Sequence, residues 1–244
     1  MKYISLRNIN VFYDQKQVLE AVNIDIDSND FIGVIGPNGG GKTTLMKTIL
    51  KQIPFEGAVE YYKSGLKIGY MPQLQNVDKS FPISLIDVVV SGLQSEKGIT
   101  GRYRKEDYKR AEALLEMADI NNLSHKAIGE LSGGEFQRAM LCRAVISNPH
   151  VLILDEPANF VDNRFEKELY ELLRALNEQM AIIMVSHDLG TITSYIKTIV
   201  CVNRTVHHHH SNKITPEQLD RYDCPIQLVC HGDVPHIVLE HHSK

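Results

Sequence analysis

The stretch Gly36 to Thr44, GPNGGGKTT, constrains this chain of 244 residues more than any other. It contains G-x-x-x-x-G-K-T, a phosphate-binding pattern. Phe31-Ile32-Gly33-Val34-Ile35 before it reads as a short buried strand. Leu45 to Lys51 after it has helical spacing, with Leu45, Met46, Ile49 and Leu50 apolar. The pattern therefore stands between a strand and a helix, where its mechanism needs it. Gly36, Gly39, Gly40 and Gly41 let the backbone curl around Pro37 and Asn38 so that successive N–H groups face one anion. The helix start, with Thr44 in its first turn, adds unpaired N–H groups and the positive end of the helix dipole. Lys42 is placed to reach the β- and γ-phosphates of a nucleotide, and the Thr43 hydroxyl to ligate Mg²⁺.

Composition bounds the rest. The length suffices for one large or two small domains, and 43% apolar with 23% charged residues is ordinary for a soluble globular chain. A net charge of −4 gives no global electrostatic reason to expect nucleic-acid binding. Met1 to Arg7 lacks the apolar core of a signal peptide, and the longest apolar runs, such as Ala181 to Val185, are strand-sized rather than membrane-sized. Work at a membrane would therefore go through a partner. Cys142, Cys201, Cys224 and Cys230 are few and unevenly spread, which suits a reduced, cytosolic protein.

Along the chain, Tyr3 to Ile9, Gln17 to Ile26 and Phe31 to Gly36 read as strands. Tyr13 falls in the polar turn between the first two, either as a partly buried anchor or as a flat face for a nucleobase. Gly57 to Tyr62 and Leu66 to Met71 alternate as strands, and Pro72-Gln73 ends the second. A helical block follows over about 81–147. It holds Ser84 to Gly92 with a capping-box-like S-x-x-D, Lys105 to Asp119, and Gly133 to Ile146. Strands then resume at Val151 to Leu154, Ala181 to Val185 and Thr198 to Val202, around an amphipathic helix at Asn163 to Gln179. Continuous apolar strands alternating with helices imply an α/β fold with a mostly parallel sheet covered on both faces.

Val151 to Leu154 delivers Asp155 and Glu156 to the carboxyl end of a strand, where open α/β sheets bind ligands. One carboxylate can orient Mg²⁺, and the other can polarise an attacking water; Asp155 takes the first role and Glu156 the second. Leu131 to Arg138, LSGGEFQR, is a second glycine-rich anion site, with Ser132 as N-cap and Gly133 and Gly134 freeing the N–H groups of a helix start.

LSGGEFQR resembles the signature sequence of ABC-transporter ATPases. The other motifs follow in the family's order over about residues 1–205. GPNGGGKTT resembles the Walker A loop, with Gly40 where Ala is more usual, and VLILDEP resembles Walker B with the catalytic glutamate. Tyr13 stands at the place of the adenine-stacking aromatic. Gln73 stands at that of the glutamine linking Mg²⁺ and attacking water to the membrane subunit. His187 matches the switch histidine that contacts the γ-phosphate. Asn159-Phe160-Val161-Asp162 replaces the family's S-A-L-D loop and keeps Asp162.

The resemblance implies a P-loop NTPase with a RecA-like core, an antiparallel β subdomain and an inserted α-helical subdomain at 81–147. It implies ATP and Mg²⁺ as cofactors and a head-to-tail homodimer, in which Ser132, Gly133, Gly134 and Glu135 of one copy meet the ATP held by the other. IGYMPQ followed by VDKSFPISLIDVVVSG, and the ending CHGDVPHIVLEHH, are similar to the zinc and manganese uptake importers. That narrower resemblance implies integral membrane permease subunits and, indirectly, an extracytoplasmic metal-binding protein. It implies no nucleic acid and a peripheral place on the cytoplasmic face of the cell membrane. The other readings are a cassette for a non-metal solute or an exporter, and an ABC ATPase acting on nucleic acid or ribosomes.

Residues 206–244 form a His-rich extension. Alternation in Val206-His207-His208-His209-His210 puts two histidines on each face of a strand, enough for two imidazoles to meet one Zn²⁺. Cys224, Cys230, His231 and His236 are another candidate set, without zinc-finger spacing. A solvated strand-turn with a small satellite core is the favoured account of this extension, and regulation by bound metal the other.

Overall fold

The computed structural model describes residues 1–74, 81–98, 101–157, 163–186, 192–212, 226–230 and 235–239, with backbone alone at 163–165, 226–230 and 235–239. His187, Asp162, Cys224 and His231 lie outside the described residues. The chain divides into two compact units, Met1–Leu66 with Tyr170–Lys244, and Lys67–Leu169. The second is wider than the helical block expected at 81–147.

In the first unit, β1 (Lys2–Tyr13) and β2 (Lys16–Asp27) form an antiparallel hairpin. Asp14 turns it at φ 53, a left-handed conformation that Asp tolerates. Tyr13 is therefore the last residue of β1, paired with Lys16, rather than part of a loop. β4 (Glu56–Tyr61) completes the sheet on the other side of β1. Ile4, Leu6, Ile9 and Val11 are buried, and register shifts around Asn8 keep them inward.

β3 (Phe31–Ile35) lies between β7 (Ala181–Val185) and β8 (Thr198–Asn203), parallel to both. Every residue of β3 and β7 is buried, which accounts for their unbroken apolar runs. α1 (Lys42–Ile49) follows the loop after β3 and packs on β1 and β2. β9 (Thr205–His209) turns back antiparallel to β8, so the expected boundary at 205/206 falls inside a strand. β10 (Ile226–Cys230) and β11 (Pro235–Leu239) form a separate antiparallel hairpin. Buried Tyr170 stacks on Tyr195 with ring centroids 4.9 Å apart. The Asn177 amide donates to the carbonyls of Asp30 at 2.8 Å and Met180 at 3.0 Å, tying the strand entrances together.

In the second unit, β5 (Ile68–Met71) runs parallel to β6 (Val151–Asp155). The helices are α2 (Leu85–Val90), α3 (Gln94–Lys97), α4 (Lys105–Met117) and α5 (Gly133–Val145). Ser84 caps α2, accepting from the Asp87 N–H; its hydroxyl in turn donates to the Asp87 carboxylate. α2 packs against α4 and α5, and Leu85, Val89, Ala111, Leu115, Phe136 and Met140 on these helices are buried. The unit boundary falls within α6 (Asn163–Leu176).

β5 meets α5 at Gly69, where an added Cβ would lie 2.2 Å from the Ala144 carbonyl oxygen. Backbone cannot yield as a side chain can, so Gly69→Ala should destabilise the protein by about 1–3 kcal/mol, read as a lower denaturant midpoint. An unchanged midpoint would contradict this approach.

Candidate functional site

The phosphate loop is shaped by backbone contacts on one side. A Cβ on Gly36 would lie 2.0 Å from the Val202 carbonyl oxygen, and one on Gly40 would lie 2.7 Å from it. The Arg204 N–H donates to the Gly40 carbonyl at 3.0 Å, and the Gly40 N–H to that of Pro37 at 3.1 Å. Glycine at 40 is thus a steric requirement of the β8–β9 turn. Buried Lys42 curls into the loop, where its Nζ donates to the carbonyls of Gly36 at 2.8 Å and Pro37 at 2.9 Å. Gly41, at φ 103, precedes α1, and Thr43 and Thr44 lie in its first turn. A Cβ on Gly39 would meet nothing within 4 Å. An ammonium held at a helix start beside open backbone is a donor set that fits a polyphosphate.

A cleft of about 540 Å³ adjoins the loop, lined among others by Phe12, Lys16, Gln17, Gly39, Gly40 and Arg204. Phe12 lines it and Tyr13, expected there from the sequence, does not; strand alternation sends the two rings to opposite faces of β1. Tyr13 is 46% exposed. The Arg204 guanidinium is held by Glu20 Oε2 at 3.0 Å and Gln17 Oε1 at 3.1 Å. Nothing in the sequence singles out Phe12 or Arg204.

In the second unit, β6 ends in Asp155, which is 2% exposed. Its carboxylate adds to burial in pushing the neighbouring Tyr70 hydroxyl up to about 12. Glu156 follows at φ 56, a left-handed conformation costing a non-glycine residue about 1–3 kcal/mol. That turn aims the carboxylate back at β5, where Gln73 Nε2 donates to Glu156 Oε2 at 2.6 Å. Two residues 83 positions apart are thus one hydrogen-bonded pair. Glu156 remains an acceptor, with a fixed amide orienting one oxygen, as a base for water requires.

The LSGG segment forms the start of α5. The Ser132 Oγ accepts from the Glu135 N–H at 3.3 Å, and Glu135 Oε2 from the Ser132 N–H at 2.8 Å, a reciprocal capping box. The backbone hydrogen bond, then that of the Ser132 side chain, holds the Glu135 carboxyl below its usual range. A Cβ on Gly134 would meet nothing within 4 Å, so the backbone here is open to approach.

The ABC transporter profile matches residues 19–159, taking in the phosphate loop, Gln73, LSGG and Asp155-Glu156. The chain belongs to the ABC transporter family. A Thermotoga maritima protein named "Probable metal transport system ATP-binding protein" is 37% identical to this ABC ATPase over 97% of this chain and 98% of its own. The "Zinc import ATP-binding protein ZnuC" of Pasteurella multocida is 38% identical over 83% of this chain and 74% of its own. A solved dimeric cassette in a post-hydrolysis state with ADP and Pi shares the fold at a TM-score of 0.74. It is 23% identical and covers 87% of this chain and 100% of that one. The expected fold class, a P-loop NTPase, is the fold observed.

The turn at Glu156 can be measured apart from its carboxylate. Glu156→Gly and Glu156→Ala both lose the bond to Gln73, but only glycine relieves the left-handed backbone. The glycine variant of this ABC ATPase should be the more stable by about 1 kcal/mol in denaturant titrations. Equal stability would place Glu156 outside the left-handed region in solution.

Proposed function

We propose that this ABC ATPase is the ATP-binding and hydrolysing subunit of an importer for a transition metal ion, zinc or manganese. One observation carries the choice of cargo. The likeness to a metal transport ATP-binding protein runs through 97% of the chain rather than through the nucleotide motifs alone, and a zinc import subunit is among the relatives.

Each residue then has a role. Gly36, Pro37, Asn38, Gly39, Gly40 and Gly41 wrap the β- and γ-phosphates of ATP, and Lys42 neutralises them. Thr43, Gln73 and Asp155 would hold Mg²⁺, which would supply positive charge against that developing on the transferred phosphoryl group. Glu156 accepts the proton of the attacking water. His187 contacts the γ-phosphate, and Asp162 contributes at the interface between copies. Phe12 or Tyr13 offers the ring for adenine. Ser132, Gly133, Gly134 and Glu135 serve the ATP of a second copy, in keeping with the ADP-bound dimer of a fold relative.

Among the described residues no helix is long and apolar enough to cross a membrane. Transport therefore calls for membrane-spanning permease subunits, with this subunit peripheral on their cytoplasmic side and a metal-binding protein delivering cargo from the other.

Cells lacking the gene should lose high-affinity accumulation of zinc or manganese. The native protein should restore it and Glu156→Gln should not, because loss of a general base slows hydrolysis by about 10²–10⁴-fold. Unchanged uptake of both metals in the deleted cells would overturn the cargo.

A further inference from the structure

Nucleotide chemistry leaves the run His207 to His210 unused. β9 carries His207 to His209, with His210 directly after it, and pairs with β8 on one side and with no strand on the other among the described residues. His208 lies opposite Val200, and His207 and His209 lie opposite Cys201 and Ile199. His208 and His210 therefore share one face of the strand, and His207 and His209 the other.

The rings of His208 and His210 are 4.4 Å apart between centroids and tilted by 44°. His208 Nε2 is shut off from solvent and has no hydrogen-bond partner, and His209 Nε2 on the other face is buried as well. A buried imidazole nitrogen left that way carries a desolvation cost that a cation would remove. Burial first, then the neighbouring histidines, push the His208 imidazole down to about 4. Charges of the right sign stand nearby: the Asp25 carboxylate acts on His208, and His210 on Asp30. No group of three or more His, Cys, Asp or Glu side chains is arranged to hold a metal among the described residues. Two imidazoles, with water filling the remaining positions, make an exchangeable site rather than a structural one.

This face also connects to the phosphate loop. β9 begins at Thr205, directly after Arg204, whose N–H holds the Gly40 carbonyl. β8 ends beside Val202, whose carbonyl abuts Gly36 and Gly40.

We propose that His208 and His210 bind one divalent transition metal ion of the zinc class, and that its binding restrains the β8–β9 turn and slows ATP turnover. As a brake set by imported metal, the site rests on the importer reading; as a metal site, it rests on its own geometry.

The test uses untagged full-length protein titrated with Zn²⁺, and with Co²⁺ for its visible spectrum. H208N/H210N should lose one bound equivalent, while H207N/H209N should keep it; the paired variants H208Q/H210Q and H207Q/H209Q guard against a folding defect. Zn²⁺ should slow ATP hydrolysis by the native protein and by H207N/H209N, and leave H208N/H210N unaffected. The same number of equivalents in H208N/H210N, or an equal loss from both pairs, would overturn the site. Binding without any change in hydrolysis would overturn the brake. Failure of the importer reading would show instead as unchanged uptake in deleted cells, with the titration intact.

Discussion

The Val202 carbonyl oxygen sets the form of the nucleotide loop. It lies where side chains at Gly36 and Gly40 would be, so both must be glycine and the loop can approach the end of β8 closely. The Arg204 N–H closes the same contact from the other side by binding the Gly40 carbonyl. Lys42 places its ammonium on the carbonyls of Gly36 and Pro37 in this loop. A site built from backbone held by backbone needs little reorganisation when charge develops on a phosphoryl group, which is the largest source of catalytic stabilisation in such chemistry.

The second unit uses strain in a comparable way. Glu156 occupies a left-handed conformation that costs stability, and the return is a carboxylate aimed at Gln73 rather than along the direction of β6. An amide bound to one carboxylate oxygen positions the other. Any movement of Gln73 would then alter how Glu156 presents itself to water. In the proposed mechanism this bond ties the segment after β5 to hydrolysis.

The phosphate loop, the buried strands around it and the N-cap at Ser132 were legible because each rests on local chemistry. Glycine spacing, unbroken apolar runs and a serine three residues before a glutamate are signals within a few positions. What was not legible depends on partners far along the chain. The Gln73–Glu156 bond joins residues 83 apart. Gly40 looked like a departure from the usual Ala, and only the β8–β9 turn shows why glycine is needed. Phe12 and Tyr13 differ by one position, and the strand's period of two decides which lines the cleft, whereas the polar residues after them signal a turn. The histidine run showed its alternation but not its place, because two-residue periodicity does not say which strand an edge will join.

In the proposed mechanism the phosphate loop is half of a site completed by LSGG of a second copy. The most direct measurement is the ATP hydrolysis rate per subunit over a range of protein concentrations. The rate per subunit should fall steeply once dilution separates the copies, while ATP binding at the loop persists. A rate per subunit that stays constant down to concentrations where only monomer remains would contradict the claim.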